Sequence, residues 1–270
     1  MKKFTKTTAI LLTVALCLTI FATMVPAAVM AGTLTMSGST TVQPVAELLK
    51  DPFTQLNPGV EVVIAGGGSG VGINDVAAGS VNIGNVSRNL KETDPAGLVP
   101  YTLGYDAVVV VVNPLNPVQN LTKDQVTAIF TGAVTNWSEV GGYDAPIFVN
   151  RRTDPSGTMD FFKELFVPEG QAIAETAKQH ESNGLMLEAV ATDANAIGFL
   201  SMGYLNMAVK GISIDGAVPT LDNAKSGAYP YVRPLNMVTN GEAADLAKAF
   251  INFAQSPEGQ AIVSSQWIGL

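Results

Sequence analysis

Three stretches of this sequence concentrate hydroxyls and glycines directly ahead of a helical pattern. Ser37-Gly38-Ser39-Thr40-Thr41 leads into a helix starting near Val42, and Gly66-Gly67-Gly68-Ser69-Gly70 into one starting near Val71. Arg151-Arg152-Thr153-Asp154-Pro155-Ser156-Gly157-Thr158 leads into a third, near Met159. A helix N-terminus presents unpaired backbone N–H groups and about half a positive charge. Hydroxyls add donors, and glycine lets an anion approach the backbone. Arginine adds a planar fork of donors suited to a tetrahedral oxyanion. One such start is ordinary helix capping. Three in one chain, one of them with arginines, point to capture of an anion by hydrogen bonds.

Other chemistries find little support. The glycine run is no Walker loop, because no Gly-Lys-Ser/Thr follows it. Nor is it a dinucleotide fingerprint: counted from Gly66 and Gly68, the third glycine falls on Val71. The only histidine, His180, lies between Gln179 and Glu181 and reads as a solvated surface residue, so an acyl-transfer triad has no base. With one His and one Cys, no transition-metal cluster of ordinary composition is expected, nor any cofactor. A carboxylate pair of the glycosidase kind stays open on spacing, but nothing points to one. Trp137, in Thr135-Asn136-Trp137-Ser138-Glu139, reads as a packing anchor rather than a sugar platform. The expectation is a binding protein, not an enzyme.

The elements that must position these residues alternate between extended and helical periodicity. Strands are predicted at 34–36, 60–65, 81–85, 107–112, 146–150 and 196–200. Helices are predicted at 42–50, 70–78, 158–166, 182–191, 243–255 and 257–264. Thr122 and Gln125 form a capping box for a further helix through Phe130. This order gives an α/β fold with helix-covered sheets. Without a long linker, two lobes must be joined by short strands; Val112-Asn113-Pro114 is a first crossing and Tyr229 to Val238 a return.

The 270 residues are 47% hydrophobic and 14% charged, which suits a large core rather than disorder. The formal net charge of -8 disfavours nucleic acid as a partner. Lys2, Lys3 and Lys6 precede an apolar stretch from Ala9 to Val25, Pro26 and small residues to Ala31. That order predicts a secretory signal peptide over 1–31, cleaved after Ala31, with an uncleaved membrane anchor as the alternative. Lipid modification of Cys17 is disfavoured by the bulky Leu16 beside it. Cleavage removes three lysines and the only cysteine, leaving 12 positive against 23 negative charges, a net of -11. The exported protein then sits in the periplasm or on the outer face of the cytoplasmic membrane, and a monomer is expected.

Several stretches fall in a familiar order. They are Ser37 to Pro44, Gly66 to Gly72, Ile83-Gly84-Asn85-Val86-Ser87-Arg88, Ile129-Phe130-Thr131-Gly132 with Asn136-Trp137, and Arg152 to Thr158. Ala196 to Leu200 and Ser256 to Gln260 complete a pattern that resembles the phosphate-binding proteins of phosphate ABC importers across the mature chain. The resemblance implies a type II periplasmic-binding fold with the ligand in the cleft between two lobes: 32–111 plus 229–270, and 112–228. It implies inorganic phosphate as ligand and ABC permease subunits as partners. An oxyanion of another kind, such as sulfate, or a sensor or scavenger without a transporter, is the alternative. Carried over by position, Ser39, Thr40 and Thr41 donate from lobe one and Ser69 from the glycine loop. Arg152 makes the bidentate contact, with Asp154 orienting it, and Ser156, Gly157 and Thr158 cap the anion from lobe two. Gly68 and Arg88 support, Arg88 either at the cleft or on the surface, and Arg151 faces outward. Several such proteins carry Asp where Ser87 stands. Ser87 accepts through its lone pairs, so selection of phosphate over sulfate needs a further acceptor.

Overall fold

Five consecutive valines, Val108 to Val112, form the end of the longest strand, and all five are buried. β-branched side chains on both faces suit a strand covered on both sides. The computed structural model describes residues 30–270; Cys17 and the expected signal region up to residue 29 fall outside the described residues. The first part of the chain runs β1 (Ala31–Gly38), α1 (Val42–Leu56), β2 (Gly59–Gly67), α2 (Ser69–Ala77), β3 (Ile83–Val86) and β4 (Leu98–Val112). The middle part runs β5 (Asn120–Leu121), α3 (Lys123–Thr131), β6 (Phe148–Arg152), α4 (Gly157–Phe166), β7 (Lys178–His180), α5 (Asn183–Thr192) and β8 (Ala196–Ser201). The last part runs β9 (Lys210–Gly211), β10 (Ser213–Ile214), α6 (Leu221–Ser226), β11 (Val232–Asn240), α7 (Asp245–Gln255) and α8 (Pro257–Val263).

The predicted alternation is present. The elements it omits, β5, β7, β9, β10 and α6, are two to six residues long, too short to carry a period. The capping box forms as expected: Thr122 Oγ1 accepts from the Gln125 N–H while the Gln125 side chain accepts from the Thr122 N–H. Gly132 ends that helix in the left-handed region at φ 85°.

The main sheet has the order β2-β1-β3-β11-β4-β8-β6-β7, with β9 also on β4. β1 runs parallel to β2 and β3, and β6 parallel to β8 and β7, while β11 and β4 are antiparallel to each other. β4 belongs to both halves: 98–107 pair with β11, whereas 108–112 pair with β8. The crossing therefore lies between Ala107 and Val108. Pro114 marks only where the strand stops.

Two large cores flank that crossing. One gathers Leu34, Val45, Leu49, Phe53, Met237 and Phe250 under α1, α7 and α8. The other gathers the valine run, Phe130, Phe162, Phe166, Phe199 and Trp137. Phe162 and Phe199 stack at 3.9 Å between ring centroids. Trp137 is fully buried in this second core, its indole N–H donating to the Asn195 carbonyl at 3.0 Å. It is the packing anchor its sequence context suggests.

Candidate anion-binding site

The three hydroxyl-rich helix starts meet between the two cores. β1 ends at Gly38, whose φ of 126° turns the chain into α1. A Cβ there would lie 2.4 Å from the Asn85 carbonyl oxygen, so only glycine lets β1 and β3 approach this closely. Ser39 Oγ accepts from the N–H groups of Thr41 and Val42 at 3.1 and 3.3 Å, and donates to Ser87 Oγ at 2.9 Å. Ser69, the first residue of α2, accepts from the Ser87 N–H at 3.0 Å, and its Oγ lies 3.4 Å from Ser87 Oγ.

The third start packs against the first two. Ser156 caps α4 by accepting from the Met159 N–H at 3.2 Å. The Gly70 N–H donates to the Pro155 carbonyl at 2.9 Å, next to Gly68. Thr158 Oγ1 lies 3.4 Å from Thr41 Oγ1. Ser39, Thr40, Thr41, Ser69, Ser87, Ser156, Gly157 and Thr158 are all buried. The cleft is thus closed around convergent hydroxyls that hydrogen-bond one another.

Arg152, on the buried side of β6, reaches into this cluster. Its Nη2 donates to Thr40 Oγ1 at 3.2 Å and to the Glu181 carbonyl at 2.7 Å, and its Nε donates to the His180 carbonyl at 3.1 Å. Nη1 is buried with no partner. Among the described residues no carboxylate pairs with Arg152. Burial, then repulsion from Arg233, lowers its pKa to about 10, so it remains a cation at neutral pH. A buried cation without a counterion costs several kcal/mol, and an anion at Nη1 would remove that cost.

Three expectations need correcting. Asp154 does not orient Arg152; it is exposed and lies 3.3 Å from Arg151 Nη1. β6 ends at Arg152, and the turn that follows carries the Asp154 side chain out to solvent. Two backbone carbonyls hold Arg152 instead. Arg88 is neither a cleft donor nor a free surface charge. It makes a two-pronged pair with Asp94 at 2.7 and 3.0 Å, and its Nε lies 2.8 Å from Asp160 Oδ2 on α4. Burial alone would lower the Arg88 pKa, but Asp94 and Asp160 outweigh it and raise it. His180 is not a solvated residue. It lies on β7, paired with Arg152, and its Nε2 is 2.9 Å from Asn150 Oδ1. Burial, Arg152 and Lys178 all lower its pKa, which keeps it neutral.

The sequence reading missed four residues of the cluster. Arg233 Nη2 donates to Thr41 Oγ1 at 3.0 Å and pairs with Asp106 Oδ2 at 2.9 Å. Asp106 also accepts from Ser201 Oγ at 2.9 Å. Asn183 Nδ2 donates to Thr41 Oγ1 at 3.0 Å, and the Tyr204 hydroxyl donates to the Thr40 carbonyl at 2.9 Å. A charge inside each apolar strand pattern, Asp106 ahead of the valines and Arg233 in the return segment, was the available signal. Asn183 and Tyr204 carry none.

Comparison with known proteins fits this geometry. Residues 26–258 match the profile of the PBP superfamily domain. The phosphate-binding protein PstS of Bacillus subtilis is 35% identical over 233 residues, covering 84% of this chain and 77% of that protein. PstS of Borreliella burgdorferi is 30% identical over 240 residues, covering 84% and 86%. Among solved structures, a substrate-binding protein from Clostridium perfringens, assigned to a phosphate ABC transporter and crystallised with bound phosphate, superposes with TM-score 0.85. It is 35% identical and covers 88% of this chain and 100% of that one. A phosphate transport receptor from Vibrio cholerae gives TM-score 0.72 at 34% identity, covering 88% and 99%.

Proposed function

We propose, for a chain that belongs to the PstS phosphate-binding family of the PBP superfamily, that the hydroxyl-lined cleft captures inorganic phosphate outside the cell and delivers it to an ABC permease. One observation carries this reading: buried Arg152 touches the Thr40 hydroxyl through Nη2, its Nη1 has no partner, and among the described residues no carboxylate balances it. Such a cation calls for an anion with many acceptors. In this reading Thr40, Thr41 and Ser69 donate from lobe one, and Arg152, Gly157 and Thr158 donate from lobe two. Ser39 and Ser156 hold the two helix starts, since their hydroxyls already cap α1 and α4. The hydroxyl pairs within the cluster rotate towards the oxyanion at little cost, because each trades a neutral hydrogen bond for a charge-assisted one.

The protein acts as an exported monomer whose two lobes, joined where β4 changes partner after Ala107, close on the ligand. Among the described residues no helix is long and apolar enough to cross a membrane. Titration calorimetry on the phosphate-stripped mature chain tests the reading against phosphate, sulfate, arsenate and molybdate. Binding of phosphate at roughly micromolar Kd or tighter is expected. No heat with phosphate and clear heat with sulfate would refute it. Sulfate is a meaningful competitor because Ser87 Oγ already accepts from Ser39, and Asp106 is engaged by Arg233 and Ser201.

Closure has its own fastening. Asp160, in the first turn of α4, receives Arg88 Nε at 2.8 Å and Lys91 Nζ at 2.9 Å from the segment after β3. Both contacts cross the cleft. The Lys91 pair is partly exposed and contributes little; the Arg88 pair is better shielded. Asp160→Asn is expected to speed phosphate release about fivefold, the equivalent of about 1 kcal/mol, with little change in association rate. Stopped-flow release kinetics check this, and an unchanged release rate would show that the bridge does not hold the lobes together.

A further inference from the structure

Asp106 and Arg233 stand directly opposite each other on β4 and β11, one residue before β4 changes partner. Both are about 1% exposed. Their ion pair is 2.9 Å long, and Ser201 on β8 donates to the other carboxylate oxygen. Burial pushes Asp106 up and Arg233 down in pKa, and each partner offsets the other's shift.

The ion pair does not use up the guanidinium's five N–H donors. Arg233 shares Nη2 between Asp106 and the cleft hydroxyl Thr41 Oγ1, and its Nη1 is buried with no partner. Arg152 has the same orphaned nitrogen, and the two guanidiniums are close enough to repel. Thr41 Oγ1 sits 3.4 Å from Thr158 Oγ1, so Arg233 and the α4 start converge on one spot. Counting these three side chains, two buried cations face one buried carboxylate.

We propose that Arg233 is a second anion-contacting arginine, donating through Nη1 to the bound oxyanion while Asp106 holds its guanidinium in place. The inference rests on reading the cleft as an oxyanion site. It adds a contact from the crossing strands, so the ligand would be held by both lobes and by the hinge between them. It also makes Asp106 a specificity-determining residue that acts through Arg233. With Asp106 ionised the three side chains sum to one positive charge; without it they sum to two, which favours more highly charged anions.

The experiment compares wild type, Arg233→Gln, Arg233→Lys and Asp106→Asn by calorimetry with phosphate and sulfate, below and above the second ionisation of phosphate. Arg233→Gln is expected to bind phosphate roughly 10- to 100-fold more weakly, the range of a charge-assisted hydrogen bond, and to lose more affinity for the dianion than for the monoanion. Arg233→Lys should recover part of that loss, since it keeps the charge but not the fork. Asp106→Asn should gain sulfate affinity relative to phosphate. A folded Arg233→Gln with a lowered Tm but an unchanged Kd and pH profile would overturn the proposal and leave a purely structural pair. If Arg233→Gln does not fold, Arg233→Lys decides, with an unchanged Kd again overturning it. If wild type binds only another oxyanion, the phosphate reading fails, and Arg233 is judged with that oxyanion on the same variants.

Discussion

Arg152→Ala is expected to weaken phosphate binding by about 100-fold or more, whereas Arg151→Ala is expected to change it by less than about twofold. The contrast follows from where β6 points the two side chains. Arg152 is about 1% exposed, touches Thr40 across the cleft and has a buried N–H left over. Arg151 leans on exposed Asp154 and the Arg152 carbonyl. Losing the Arg152 guanidinium removes its charge-assisted hydrogen bonds to the anion, each worth roughly 1.5–3 kcal/mol, and the buried positive charge with them. The measurement is the phosphate-induced rise in Tm beside a calorimetric Kd. A ligand that binds only the folded state stabilises it by RT ln(1 + [L]/Kd), so a Tm that no longer responds to phosphate reports lost binding even if the variant is itself less stable. Some loss of stability is expected, because the His180 and Glu181 carbonyls lose their donor. Equal losses from the two arginine variants would mean that Arg152 is not the anion's charged partner.

What could be read from the sequence was what the chain decides locally. Thr40, Thr41, Ser69, Gly157 and Thr158 each sit within a residue or two of a helix start, and the helix start is itself the donor array. Their convergence needed only that strands lead into those helices, which the alternating periodicity supplies. Arg233 and Asp106 were not legible, because strand register across 127 residues of chain brings them together. Arg88 was ambiguous for the same reason. One of its partners, Asp94, is local, but the one that crosses the cleft lies on α4. The error over Asp154 came from carrying a family position over to a residue that lies past the end of β6, in the turn at Asp154-Pro155, where its side chain is exposed. His180 went astray because β7 is three residues long, too short to reveal itself as a strand that lends Arg152 a carbonyl.

Net charge is a related case of a whole-chain property misrepresenting a site. A chain with a formal charge of -8 repels phosphate at long range, yet exposed charges are screened beyond about 8–10 Å at physiological salt. Inside the closed cleft the relevant charges are the desolvated ones, two arginines against Asp106. Bulk acidity governs solubility and approach, and the local excess of cation governs capture.

Gly157→Ala isolates closure from folding. A Cβ on Gly157 would stand 2.2 Å from Ser69 Oγ, 2.9 Å from Ser69 Cβ and 3.0 Å from Ser87 Oγ. Rotating the Ser69 hydroxyl relieves the first contact, but the second is fixed by the backbone of α2. Both serines belong to the opposite lobe, so the clash exists only when the lobes meet. Gly157 is the first residue of α4 and has no positive φ, so alanine suits its backbone and adds up to about 1 kcal/mol of helix propensity. The open form should therefore be as stable as wild type or slightly more so, while the closed form is sterically blocked. Phosphate affinity is expected to fall by about 100-fold or more, and small-angle scattering should show no compaction on adding phosphate. Adding Ser69→Ala to Gly157→Ala should rescue little, since it removes Oγ but leaves the Cβ contact. Gly68→Ala serves as the contrasting variant: its φ of 98° strains alanine in the open form as well, and its Cβ would meet the Pro155 carbonyl at 2.7 Å. It should lower both Tm and affinity, whereas Gly157→Ala lowers affinity alone. Wild-type compaction and Kd in Gly157→Ala would mean that phosphate is held without the two lobes meeting at this glycine.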